Sequence, residues 1–241
     1  MNWGLTIPQA ILHAEKYNVD GQLISRELDG SINSTTYGAS IKRSKRLANA
    51  LTKLGVKTHD RVATIAWNNS RHFETYFAVS GMGAILHTLN PRYSPDQLIY
   101  ILNHAEDSIL IIDPTFIPLV ESVQDKLDTV KTIIIASSKD AIPENNLNNP
   151  LSYEELINDE LDEFDWPEMA EDDAASLCYT SGTTGNPKGV LYSHRSTILH
   201  AISISGTMGF ESSSSVLPVV PMFHVNAWGV PYSALINGFT L

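Results

Sequence analysis

Apolar and polar residues change rhythm along this chain in a repeated order. Between residues 37 and 54, Leu47, Leu51 and Leu54 recur at helical spacing, with Lys42, Arg43, Lys45 and Arg46 on the opposite side. Gly55 is placed to end that helix. Arg61–Trp67 then reads as a strand, and Ser70 to about Gly83 as a helix that buries Phe73, Tyr76 and Phe77. Ala84–Leu89 reads as another strand. Ser94-Pro95-Asp96-Gln97 forms a capping box with proline at the first helical position, and Leu98, Ile101, Leu102 and Ala105 continue at helical spacing. Ile109–Ile112 and Thr132–Ala136 are short apolar runs of the kind buried on both faces of a parallel sheet, with a helical stretch near Ile117–Leu127 between them.

This β-α alternation predicts an α/β fold, a mostly parallel sheet with helices on both faces. Residues 137–150 are rich in Ser, Asn and Pro and read as a connection. The division expected from this is a first α/β subdomain over 1–140, an acidic connecting segment over 141–172, and a second α/β subdomain from 173 to 241. The second is expected to open a second sheet, with strands at 176–180, 189–192 and 216–221 and a helix from His194 to about Ser205.

The chain has 241 residues, 43% of them hydrophobic and 18% charged, enough for a real core. Its net charge of −11 argues against a general nucleic-acid role. Residues 154–173 hold eleven acids and no base, which reads as a solvated acidic stretch, and the basic side of the 37–54 helix reads as a solvated face. A single cysteine, Cys178, excludes an internal disulfide, fits a reducing compartment and is expected as a small core residue. No leader pattern opens the chain and no apolar run approaches the length of a membrane span, so a cytoplasmic protein is expected. Gly81-Met82-Gly83 begins like a dinucleotide fingerprint, but Leu86 stands where the third glycine belongs.

The chemistry concentrates in Thr180-Ser-Gly-Thr-Thr-Gly-Asn-Pro-Lys-Gly-Val190. Eleven positions carry four hydroxyls, three glycines and one lysine, between two apolar runs. Backbone N–H groups, hydroxyls and a cation are the parts that hold a polyphosphate; the alternative is an ordinary surface turn. It is not a Walker loop, because Pro187 precedes Lys188 and Gly189 follows it. A loop linking two strands is expected instead.

The run resembles the phosphate-binding signature of the adenylate-forming superfamily, which includes acyl-CoA synthetases, luciferases and peptide-synthetase adenylation domains. Val219-Val-Pro-Met-Phe-His-Val-Asn-Ala-Trp-Gly-Val-Pro-Tyr232 is similar to that superfamily's acyl-pocket motif, in a form like that of bacterial long- and medium-chain fatty acyl-CoA synthetases. His87–Glu106 resembles the same subgroup, and the similarity extends from about residue 30 to the last residue. It implies a ligase that joins a fatty acid to ATP as acyl-AMP and then to CoA, with ATP, Mg²⁺ and CoA as the small molecules. An aryl or short-chain acid, or a non-catalytic nucleotide-binding module, stays open.

By the same resemblance, Thr180, Ser181, Gly182, Thr183, Thr184, Gly185 and Lys188 would bind the ATP phosphates, with Thr184 helping to hold Mg²⁺. His224 would orient the acyl carboxylate, and Val225 and Trp228 would face the acyl chain, packing being the alternative for the histidine and the tryptophan. If 224–228 is helical, His224 and Trp228 share a face. The remaining histidines singled out (His13, His59, His72, His87, His104, His200) read as structural, and Tyr232 as packing. Nothing matches the family's later motifs, so an N-terminal part without synthetase activity of its own is expected. Related synthetases pair through N-terminal regions, which allows a homodimer, and a fatty acid substrate allows peripheral membrane contact.

Overall fold

The apolar runs of the sequence become the centre of a seven-stranded sheet. The computed structural model describes residues 4–180 and 186–241. Its elements are α1 (Ile7–Tyr17), β1 (Gln22–Arg26), β2 (Ile32–Thr36), α2 (Tyr37–Lys53), β3 (Arg61–Ile65), α3 (Ser70–Gly81), β4 (Ile85–Thr88), α4 (Pro95–Ala105), β5 (Asp107–Ile112), α5 (Ile117–Glu121), β6 (Thr132–Ile135), β7 (Leu151–Ser152), α6 (Tyr153–Asn158), β8 (Ala174–Thr180), β9 (Lys188–Ser193), α7 (His194–Met208) and α8 (Val230–Asn237). Strands β1 and β2 form a separate antiparallel ribbon; the main sheet runs β7-β6-β5-β3-β4-β8-β9. Every pairing in it is parallel except β8 with β9.

Alternation within the strands sends side chains to two cores. Val62, Ile109, Ile111 and Ile134 pack on the side of α2 and α3, with Ile41, Leu47, Phe73 and Phe77. Ala63, Ile65, Leu110, Ile112 and Ile135 pack on the side of α4 and α5, with Leu98, Ile101, Ile117 and Val120. Covering both faces is what lets a parallel strand be apolar throughout. Helix ends follow their residues. Ser94 and Gln97 complete the capping box, and Thr36 and Asn69 cap α2 and α3 through their side chains. Gly55, at φ +90°, closes α2 in a conformation that side chains disfavour.

Two expectations change. The strands after 173 do not open a second sheet: β8 pairs in parallel with β4, Ser176 beside Leu86 and Cys178 beside Thr88, and so extends the first one. Residues 216–221 make no ladder; a lone bridge joins Ser215 to Thr240. The reason is burial, since both sides of β4 need a partner strand and the apolar run 175–178 supplies one.

The acidic stretch and the basic side of α2 are also not merely solvated, because they meet. Arg43 binds Glu154 at 2.9 Å, Lys53 binds Glu160 at 2.7 Å and Lys42 binds Asp162 at 3.4 Å. Arg71 shares Glu154 at 2.7 Å and also holds Glu27 at 3.0 Å. Beneath them lies Glu74, only 2% exposed, which accepts from Arg43 Nε at 2.7 Å and from the Tyr153 hydroxyl at 2.7 Å. Among the described residues no helix is long and apolar enough to cross a membrane.

Replacing Glu74 by Ala strands a guanidinium and a phenol below the surface. Arg43 keeps Glu154, so the expected loss lies at the lower end for breaking such a pair, about 3 kcal/mol. Urea unfolding of the variant reads it directly, and a loss under about 1 kcal/mol contradicts this role.

Candidate active site

The hydroxyl- and glycine-rich run lies between two strands, as its flanks suggest. Strands β8 and β9 pair antiparallel down to Thr180 opposite Lys188, so the run leaves and re-enters the sheet at one point. Thr180 Oγ1 reaches the Lys188 carbonyl at 3.5 Å across that neck. Both residues are exposed, and Pro187 beside them is buried. Ser181, Gly182, Thr183, Thr184 and Gly185 lie outside the described residues. Among the described residues no group of three His, Cys, Asp or Glu side chains is arranged to hold a metal ion.

The second segment, residues 218–229, is clamped along its length. Asn68 Nδ2 donates to the carbonyls of Pro218 (3.1 Å) and Val220 (3.3 Å), and Asn68 Oδ1 accepts from Met222 N at 2.6 Å. The Tyr76 hydroxyl donates to the Met222 carbonyl, and Trp67 meets Phe223 edge-on with ring centres 6.0 Å apart. The loop carrying Trp67 and Asn68 is itself fixed by two buried groups. Asp113 accepts from Trp67 N at 2.7 Å and from Asn69 Nδ2 at 3.1 Å; burial raises its carboxyl to about 6. His72 places Nδ1 3.1 Å from the Trp67 carbonyl and Nε2 3.0 Å from Thr64 Oγ1. Burial pushes its pKa down to about 4, so near neutral pH the ring is uncharged, donating from Nδ1 and accepting at Nε2.

From His224 the segment does not form the right-handed helix that would put His224 and Trp228 on one face. Val225, Asn226, Ala227 and Trp228 all lie in the left-handed region, at φ 47°, 49°, 49° and 56°, and Gly229 follows at 70°. His224 and Trp228 therefore do not share a helical face. An L-residue held this way is strained by about 1–2 kcal/mol, so neighbours must impose the run. Asn226 is the member that they grip. Its side chain is buried; Nδ2 donates to Ser176 Oγ at 2.7 Å, and Oδ1 lies 3.3 Å from Thr88 Oγ1 and 3.5 Å from Cys178 Sγ. Burial raises the Cys178 thiol, which keeps its proton. At the far end His200 Nε2 donates to the Trp228 carbonyl at 3.0 Å. A side chain on Gly229 would meet the His200 ring at 2.9 Å, so glycine is needed there for space as well as for φ.

The run separates two apolar hollows. One, of about 250 Å³, lies among Tyr192, Thr197, His200, Val225, Asn226 and Tyr232. The other, about 480 Å³, is walled by Ile204, Phe210, Val216, Leu217 and Trp228, with His200 again at its edge. So Val225 and Trp228 both stand at cavities, but at different ones. His224 is exposed at the start of the run, its N–H bonded to the Pro221 carbonyl. Tyr232 is fully buried and packs on Tyr76 and Phe77, as expected. Thr180 and Lys188 come together, and His224, Val225 and Trp228 form one segment; β8 is the element common to both groups.

Sequence reading passed over Asn68, Thr88, Ser176 and Asn226, and it left His200 and Cys178 as bystanders. For Asn226 a signal existed, since asparagine is among the few residues that enter left-handed geometry readily. The pairing of Thr88 with Cys178 had none, because it depends on which strand β8 joins.

A family model described as AMP-binding enzyme matches residues 13–241. A 3-methylmercaptopropionyl-CoA ligase of Ruegeria lacuscaerulensis is 45% identical over 240 residues, which cover 99% of this chain and 44% of the relative. A medium-chain-fatty-acid–CoA ligase of Ectopseudomonas oleovorans is 44% identical over 239 residues, covering 98% of this chain and 44% of its own. A long-chain-fatty-acid–CoA ligase of Thermus thermophilus is 48% identical over 219 residues, covering 90% and 39%. Among solved structures, the inhibitor-bound N-terminal domain of FACL13 from Mycobacterium tuberculosis superposes with a TM-score of 0.84 at 24% identity, over 98% of this chain and 57% of that one. The anthranilate CoA ligase AuaEII in complex with anthranoyl-AMP gives 0.84 at 23% identity, over 96% and 44%. These structures establish the fold. The chain spans less than half the length of the curated relatives it matches.

Two measurements probe the clamps. Asn68→Ala removes three bonds to the main chain of 218–222 and should lower stability by about 2 kcal/mol while speeding proteolytic cleavage within 216–221; unchanged cleavage contradicts the clamp. His72 has a folded pKa below the 6.5 of the unfolded chain, so its contribution is full above about 6.5 and is lost as pH falls towards 4. The stability gap between wild type and His72→Gln should therefore narrow between pH 6.5 and 4 in urea titrations. A constant gap contradicts a neutral, buried His72.

Proposed function

The chain belongs to the AMP-binding enzyme family, and from that membership we propose that the full-length protein activates a carboxylic acid, a fatty acid first of all, with ATP, and passes the acyl group to CoA. One observation carries the reading: strand β8 runs into the Thr180–Lys188 neck at its end, and two residues earlier it holds the acyl segment through Cys178 and Ser176. A run rich in phosphate-binding residue types and a segment whose Val225 and Trp228 border two apolar hollows thus hang from one strand.

Activation has an acid carboxylate attack the α-phosphorus of ATP, forming a C–O–P link and expelling pyrophosphate. Two anions must be brought together, so charge neutralisation and orientation supply most of the rate. Lys188 is the cation at the neck, and Thr180 and the residues of 181–185 supply hydroxyl and N–H donors to the phosphates. His224, exposed immediately before Val225, orients the acid's carboxylate. Val225 lines the smaller hollow and Trp228 the larger one, where an alkyl tail leaves water. In the second step the CoA thiolate attacks the acyl carbon and AMP leaves.

A magnesium ion fits this donor set as ATP's companion. It prefers oxygen ligands, takes most of them from phosphates and water, and would need only the Thr184 hydroxyl from the loop. Its chemistry would be to offset phosphate charge.

A second reading, a short-chain acid, is favoured by the smaller hollow, whose volume of about 250 Å³ falls below the usual range of ligand pockets. The proposal for the 241 residues alone is that they bind nucleotide without turning over.

Pyrophosphate exchange by the full-length protein, run across acids from three to sixteen carbons, tests both readings. Exchange peaking with medium or long chains supports the first, and a peak at the shortest acids supports the second. Lys188→Ala should reduce the exchange rate by about 100-fold, the scale of removing one stabilising charge. Exchange with no acid, or an unaffected Lys188→Ala enzyme, contradicts the proposal.

A further inference from the structure

Four consecutive left-handed residues without glycine need a cause outside themselves. The backbone bonds of the run join near neighbours, such as Ala227 N to the His224 carbonyl and Val230 N to the Ala227 carbonyl, and bonds of that reach form in a turn of either hand; from outside, the His200 ring donates to the Trp228 carbonyl. The hold at the centre of the run is the Asn226 side chain. Its partners are not neighbours in sequence; Thr88 is 138 residues away and Ser176 is 50 residues away. They become neighbours because β4 and β8 pair, with Thr88 beside Cys178. The two strands thus present two hydroxyls and a thiol at one spot, and both ends of a single amide meet them. None of these four side chains faces solvent, so the contacts hold by exclusion of water as well as by direction.

We propose that Asn226 is a positioning residue for acid activation: its amide, docked on Thr88, Ser176 and Cys178, imposes the left-handed turn that sets His224 before it and Trp228 at its end. This rests on the reading of the site as one for acyl activation. The amide touches neither phosphate nor acid. It acts through the backbone, by fixing where the acyl carboxylate meets the nucleotide held at the other end of β8. A shift of that segment by about an ångström is enough to spoil in-line attack.

Asn226→Gly is the informative substitution, because glycine keeps the freedom to be left-handed and lacks only the amide. In the full-length protein its kcat for pyrophosphate exchange should fall by about 100-fold, while KM for ATP changes less than about threefold. Ser176→Ala and Thr88→Val, which leave the segment itself untouched, should each lower kcat in the same sense, and neither should add to the loss when combined with Asn226→Gly. Asn226→Asp keeps the shape and lets Ser176 turn its hydroxyl to donate, so it should recover part of the rate. A merely structural role would reduce the folded fraction and leave kcat per folded molecule unchanged, and that result overturns the inference. So does wild-type kcat in Asn226→Gly. If the wild type exchanges pyrophosphate with no acid, the functional reading fails separately. A crystal structure of Asn226→Gly then decides the inference: residues 225–228 leaving the left-handed region support it, and an unchanged turn overturns it.

Discussion

The parallel pairing of β8 with β4 is the contact on which the rest of the molecule depends. It brings Thr88 beside Cys178 and Ser176 beside Leu86, and so makes the polar spot where Asn226 docks. The same strand pairs on its other side with β9, which closes the neck between Thr180 and Lys188. One seven-residue strand therefore carries the hydroxyl- and glycine-rich run at its tip and the 218–229 segment on its flank. A slip by one position would turn Ser176 and Cys178 to the opposite face and bring Leu177 round in their place.

Strain and restraint are matched along residues 218–229. The left-handed run from Val225 to Trp228 is unfavourable in isolation, and the surroundings answer it with directional bonds at both ends and in the middle. Asn68 and Tyr76 hold the approach, Asn226 the middle and His200 the exit. These contacts come from the β3–α3 loop, α3, β4, β8 and α7, so the segment is placed by the whole α/β body. That body is braced elsewhere by the Arg43–Glu74–Glu154–Arg71 group, which ties the acidic stretch to α2 and α3. The fold thus uses its charge imbalance internally, one acidic stretch against one basic helix side.

Much of the fold was legible in the sequence, for a physical reason. Apolar runs such as Ile109–Ile112 have few alternatives to a doubly covered strand, and Ser94–Gln97 states a helix start in its own chemistry. The mostly parallel sheet followed. Pairing partners did not, because 175–178 is equally apolar whether it begins a new sheet or extends an old one. The hydroxyl- and glycine-rich run was placed between two strands by its flanks, and the structure adds the Thr180–Lys188 neck; that the run holds phosphate is the proposal. A shared face for His224 and Trp228 was expected only if 224–228 is helical; the left-handed turn found there rests on contacts with the distant Thr88 and Ser176, which nothing local announces. Arg43 and Glu154 read as solvated separately, since nothing local tells each that the other arrives.

The central claim is that β8 brings an ATP-gripping loop and an acid-orienting segment to one reaction centre. A crystal structure of the full-length protein with a non-hydrolysable acyl-adenylate analogue tests it most directly. The account predicts the phosphate of the analogue at the 180–188 loop, the acyl carbonyl beside His224 and the tail in a hollow bordered by Val225 or Trp228. An analogue bound elsewhere, or with its acyl group away from the 224–228 turn, would contradict it.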